Sequence, residues 1–135
     1  PYIFHDQITS YLHPYDVLTD VTRAQILDQS EQIDVAKGDA IYAVGDRLKG
    51  LYIIVNGQVA VTDENAAPIS LLGRENSFGE RGLMRDGRAV TNAKAETDCR
   101  LLLMPSTLFQ RLLATCGPFA RFFHRSGKPA VLIGS

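Results

Sequence analysis

The chain has 135 residues and a formal net charge of −1 from 14 basic and 15 acidic side chains, with 45% hydrophobic and 21% charged residues. That length suits one domain around one core, and the balance argues against a disordered chain. The near-neutral charge leaves no basic stripe for nucleic acid, and no apolar run nears the roughly 20 residues of a membrane-spanning helix.

The opening Pro1-Tyr2-Ile3-Phe4-His5 has neither the charged nor the apolar part of a signal peptide. Beginning without Met, the chain is expected to be part of a longer, cytoplasmic protein. Residues 1–30 read as helical. Leu18, Val21, Ala24 and Leu27 recur every three residues, and Thr19 or Asp20 is placed to cap. Pro14 disfavours helix at His13 and splits this region in two.

Residues 31–104 read as short strands: Ile33 and Val35, then Ile41 to Val44, Leu51 to Val55, Gln58 to Thr62, Pro68 to Leu72, a strand with Thr91, Ala93 and Ala95 on one face, and Cys99 to Met104. Asn56-Gly57 between two apolar runs predicts a type I′ hairpin. Regularly spaced short strands imply a β-sandwich or barrel. Residues 105–125 predict two helices, the first capped by Ser106 with Phe109, Leu112 and Leu113 on its apolar face, the second with Phe119, Phe122 and Phe123. Residues 126–135 read as a tail, and the whole as one domain.

Gly73 to Arg88 interrupts the pattern, with four glycines and seven charged residues in sixteen positions. This composition predicts a loop or short helix outside the core. Around Phe78-Gly79-Glu80-Arg81-Gly82-Leu83-Met84, glycines permit close backbone approach and a helix start offers unpaired amides to an anion. A carboxylate there accepts from a sugar hydroxyl, and a nearby arginine pairs with phosphate. A plain surface loop, with Glu80 stabilising a helix start, is the alternative. Cys99 and Cys116 lack metal-ligand or C-x-x-C spacing and read as free thiols. No histidine falls between Glu31 and Met104, which argues against a metal-dependent enzyme on a similar barrel.

The order and spacing of these pieces over Val17 to Arg125 resemble the cyclic-nucleotide-binding domain of bacterial regulators, kinase regulatory subunits and gated channels. The resemblance rests on Gly38-Asp39, Gly45-Asp46, the run Leu51 to Val59, Phe78-Gly79-Glu80 with Gly82-Leu83, and Thr97-Asp98-Cys99 followed by Leu101 to Pro105. It implies a mainly β fold with flanking helices, an eight-stranded jelly-roll β-barrel whose phosphate-binding cassette occupies residues 73–91. It also implies a ligand, cAMP or cGMP, with no other cofactor, no metal and no catalysis. In the family the cassette glutamate holds the ribose 2′-hydroxyl and an arginine pairs with the cyclic phosphate. Carried over, Glu80 is the ribose residue, Gly79, Gly82 and Leu83 offer backbone contacts, and Arg88 is the phosphate partner, with Ala89 and Val90 completing the set.

The cassette departs from the family pattern at its end. Ala89 stands where the arginine is usual, and Arg88 comes one position early. A bulge or shorter turn at Asp86-Gly87 would return Arg88 to the phosphate, because one residue in a strand exchanges faces. Arg81 replaces a usual apolar residue; it either supplies the missing charge or pairs with Glu80. Two functional readings follow. One is a cyclic-nucleotide sensor that passes a signal to an effector domain outside this chain. The other is a degenerate domain that binds another small anion or nothing and serves as an interaction or homodimerisation platform.

Overall fold

The structure, a computed structural model, describes residues 20–74 and 76–126. Helix α1 (Asp20–Gln29) leads into strands β1 (Glu31–Val35), β2 (Ala40–Tyr42), β3 (Gly50–Asn56), β4 (Val59–Thr62), β5 (Pro68–Leu72) and β6 (Ser77–Phe78). The short helix α2 (Glu80–Leu83), strands β7 (Asn92–Ala95) and β8 (Cys99–Pro105), and helices α3 (Ser106–Thr115) and α4 (Gly117–Ser126) complete it. The strands form two antiparallel four-stranded sheets, β1-β8-β3-β6 and β2-β7-β4-β5. This is the expected mainly β, jelly-roll architecture with flanking helices. The predicted segment 1–19 and residues 127–135 of the predicted tail lie outside the described residues.

Both sheets feed one core. Leu51, Ile53, Ile54 and Val55 of β3 and Leu101 to Met104 of β8 come from the first, and Val59, Val61, Leu72, Ala93 and Ala95 from the second. Every residue of β3 up to Val55 is buried, so its sequence is continuously apolar instead of alternating. Helix α3 adds Leu108, Phe109 and Leu112 to the core. Phe109 meets Phe119 and Phe123 of α4 edge-on at 5.8 and 5.2 Å between ring centroids, a geometry the ring quadrupole favours. Cys99 is buried, Cys116 is half-buried, and both are free.

Four expectations are corrected. Asn56-Gly57 is not a hairpin turn, because β3 and β4 lie in different sheets. Both edges of β3 are already paired, to β8 and β6, so β4 has no edge to join. Gly57 has φ 100° and passes the β7–β8 corner so closely that a Cβ would stand 2.4 Å from the Asp98 carbonyl oxygen. In α1 the three-residue stripe faces the core only in part: Leu27 packs against it and its neighbour Ile26 is buried, whereas Val21 is 68% exposed and Leu18 lies outside the described residues. Steps of three residues fall short of a helical turn and drift about 60° each, so such a stripe wraps round the helix. Ser106 is the first residue of α3 and makes no side-chain cap; Pro105 is the N-cap. Finally, the centre of the Gly73–Arg88 segment is part of the core, with Phe78, Gly79, Glu80, Gly82 and Leu83 all buried.

Gly57→Ala is expected to lose roughly 1–3 kcal/mol, from backbone strain and the Asp98 clash together. Gly73→Ala, where a Cβ meets open space, is expected to stay within about 0.5 kcal/mol of the parent. Chemical denaturation of both variants checks the contrast.

Candidate functional site

Strand β6 delivers the cassette by pairing with β3, Tyr52 opposite Phe78. The two rings stack at 5.1 Å with an interplanar angle of 10°, and Tyr42 tilts against both. Gly79 follows with φ 98°, a conformation that spares only glycine from strain, and serves as the N-cap of α2. The Gly79 and Glu80 carbonyls accept from the Leu83 and Met84 amides at 3.2 and 2.9 Å. The chain then turns tightly, with Arg85 and Gly87 amides both bonded to the Gly82 carbonyl. Gly82 has no room for a side chain: a Cβ would lie 2.4 Å from the Arg88 carbonyl oxygen and 2.6 Å from Leu48 Cδ1.

The returning segment pairs with the turn after β2. Arg47 and Arg88 form an isolated antiparallel bridge. Around it Leu48 N–H donates to Gly87, Ala89 N–H to Asp46 and Gly45 N–H to Ala89, each at 2.8 Å. This register decides the faces. Ala89, Thr91, Ala93 and Ala95 point inward and are buried, while Arg88 and Lys94 are exposed. The Arg88 guanidinium donates outward to the Gly45 carbonyl at 3.1 Å, and its amide to Asp86 Oδ1. The turn at Asp86-Gly87 therefore does not restore the arginine, and the inward position belongs to the methyl of Ala89. Val90 is half-buried beside it.

Glu80 is only 5% exposed, and its Oε1 has no hydrogen-bond partner among the described residues. Burial raises its pKa from 4.5 to about 8, against the smaller opposing effects of its own backbone N–H and the Arg81 charge. Arg81 is half-buried and makes interactions of its own. Two residues not singled out from the sequence join Glu80. The Tyr42 phenol is pushed well above its ordinary range, chiefly by burial and further by the Glu80 charge. Thr91 lies beside that phenol, yet its buried Oγ1 makes no hydrogen bond of acceptable geometry among the described residues. Thr91 was legible as an inward strand position, but nothing in the sequence distinguished it from a core threonine. The site thus presents one carboxyl and two hydroxyls, and buried orphan polar atoms of this kind mark places where a partner is due.

Glu80 makes stability pH-dependent. Its folded pKa lies above the unfolded one, so the neutral form's contribution is fully present below about pH 4.5 and is lost as pH rises through about 8. Glu80→Gln, which cannot ionise, escapes this loss. Its melting temperature relative to the parent is expected to be higher at about pH 9 than at about pH 5. An unchanged difference across that range would mean that Glu80 titrates as an exposed carboxylate.

Comparison with known proteins matches residues 32–116 to the family model described as cyclic nucleotide-binding domain. Over 122 residues the chain is 30% identical to a cAMP-dependent protein kinase regulatory subunit of Mycosarcoma maydis, covering 84% of this chain and 23% of that one. The chain thus spans about a quarter of that relative. Cyclic-AMP-bound PfPKA-R superposes with a TM-score of 0.82 at 20% identity, over 95% of this chain and 44% of that one. The sensor domain of the transcriptional regulator DNR from Pseudomonas aeruginosa superposes with a TM-score of 0.81 at 19% identity, over 93% and 91%. The match spans most of the two sheets, the cassette and α3, and the chain belongs to the cyclic nucleotide-binding domain family.

Proposed function

We propose that this chain is the non-catalytic, ligand-sensing part of a larger signalling protein, with Glu80 receiving the ribose hydroxyl of a cAMP- or cGMP-type ligand. The observation that carries the reading is the buried Glu80 carboxyl with an orphan oxygen, set at the cassette position where the family holds a sugar. A carboxyl removed from water without a partner is costly, and a ligand hydroxyl supplies the missing bond. Gly79 turns the chain into α2, Gly82 lets that helix lie against the Arg88 carbonyl and Leu48, and Leu83 closes the cassette on the core side.

A route for the signal is supported by one contact. Gln110 of α3 donates from Nε2 to the Leu83 carbonyl at 2.7 Å, tying the cassette's last helical residue to the C-terminal helices. A ligand that moves the cassette changes the strength of this bond, and so favours one placement of α3 over another by its differential affinity. The effector domain that reads the placement lies outside this chain.

The degenerate reading draws on the buried Ala89 methyl. A missing charge-assisted pair costs about one to two decades of affinity. Titration calorimetry of the purified chain with cAMP and cGMP is expected to give weak binding that disappears in Glu80→Ala. Absence of heat with every ribose-bearing ligand at millimolar concentration, in a folded sample free of carried-over ligand, would leave the platform reading instead. In Gln110→Ala, binding is expected to persist while ligand-dependent hydrogen-exchange protection of α3 is lost.

A further inference from the structure

We propose that strand β5 pairs edge to edge with β5 of a second copy of this chain, joining two β2-β7-β4-β5 sheets into one continuous sheet. The pairing requires no ligand at the cassette.

A sheet edge exposes unpaired N–H and C=O groups, and proteins blunt such edges by brevity, charge or irregularity. Three of the four edges here are blunted. β1 carries exposed Glu31 and Asp34, β6 has two residues, and β2 has three with an irregular register to β7. β5 has none of these protections. Its five residues, Pro68-Ile69-Ser70-Leu71-Leu72, include no charge, and among the described residues it pairs with β4 alone. Pro68 lacks a donor, but it stands at the start of the strand. Leu72 is buried in the core, so the alternation of a strand puts Ile69 and Leu71 on the outer face, where they are 40% and 57% exposed.

The edge is complementary to itself. In an antiparallel pair centred on Ser70, a two-fold axis sets Ile69 of each copy opposite Leu71 of the other, and four aliphatic side chains leave water together. A one-residue slip would set the outer face of one sheet beside the core face of the other. The centred register also sets the turn before β5 in one copy against the turn after β5 in the other. The first turn carries exposed Glu64 and the second exposed Arg74, so opposite charges meet at both ends of the pair. Both turns are held in place. Asp63 Oδ1 accepts from the Asn65 and Ala67 amides at 2.8 and 2.9 Å, and the Gly73 amide donates to Asn76 Oδ1 at 2.9 Å. One strand pair buries less than the roughly 1,200 Å² of a stable interface, so the dimer is a weak one.

The test is sedimentation velocity of the purified chain from about 10 µM to about 1 mM, the range of a weak association. The mass is expected to rise with concentration towards twice that of the monomer. Ile69→Lys/Leu71→Lys and, separately, Ile69→Glu/Leu71→Glu set like charges opposite each other, and each variant is expected to stay monomeric. An equimolar mixture of the two is expected to associate, because every lysine then meets a glutamate of the other chain. In the parent, hydrogen exchange of amides within Ile69–Leu72 is expected to slow as concentration rises. If either variant fails to fold, this exchange measurement decides. A parent that stays monomeric at about 1 mM overturns the proposal. So does a dimer that survives in both variants, a mixture that stays monomeric, or a parent dimer that leaves the β5 amides unprotected.

Discussion

Three backbone hydrogen bonds around the Arg47–Arg88 bridge determine what the cassette presents to a ligand. They lock the segment after Gly87 in one register, and a strand in fixed register has no freedom over which side chains face inward. From Ala89 the inward set continues through Thr91, Ala93 and Ala95, where β7 packs between β2 and β4. Bringing Arg88 inward would require an extra residue or the rupture of bonds each contributing about 1 kcal/mol. The Arg88 carbonyl already lies so close to Gly82 that a Cβ there would stand 2.4 Å from it.

That same close approach explains the cassette's glycines. Gly82 lets α2 lie against the Arg88 carbonyl, and Gly79 supplies the positive φ that turns β6 into the helix. The consequence is a very short helix pressed into the core, with its first residue, Glu80, out of reach of water. A carboxyl is tolerated there because it is held largely neutral, a state that suits hydrogen bonding to hydroxyls better than pairing with ions. Stacked Tyr52 and Phe78 brace the strand that feeds the helix, and Gln110 braces its end. The cassette is therefore coupled to the first sheet on one side and to the C-terminal helices on the other.

The sequence was most legible where local chemistry and global pattern agree. Apolar runs of β3 and β8, the Pro68–Leu72 strand, the inward stripe of Thr91, Ala93 and Ala95, and the Phe-bearing helices all correspond to elements of the structure. Glu80 stood out because Phe78-Gly79-Glu80 with Gly82-Leu83 resembles the family's phosphate-binding cassette. The hairpin at Asn56-Gly57 was misread because a turn signal reports the local backbone and not the edges left free for pairing; β3 had none. The stripe on α1 holds only at Leu27 among its described residues, because its spacing is short of a true helical repeat, and Ile26 shares the contact.

The sequence by itself determined the jelly-roll class, the place of the cassette and its glutamate, and the absence of arginine at position 89. Only the tertiary structure decided that the Arg88 guanidinium turns outward onto the Gly45 carbonyl, that the Tyr42 phenol stands between Glu80 and Thr91, and that the carboxyl is buried. The physical reason is common to all three. Side-chain direction follows from strand register and burial from close packing, and both are set by partners such as Arg47, Leu48 and β3 that lie far away along the chain.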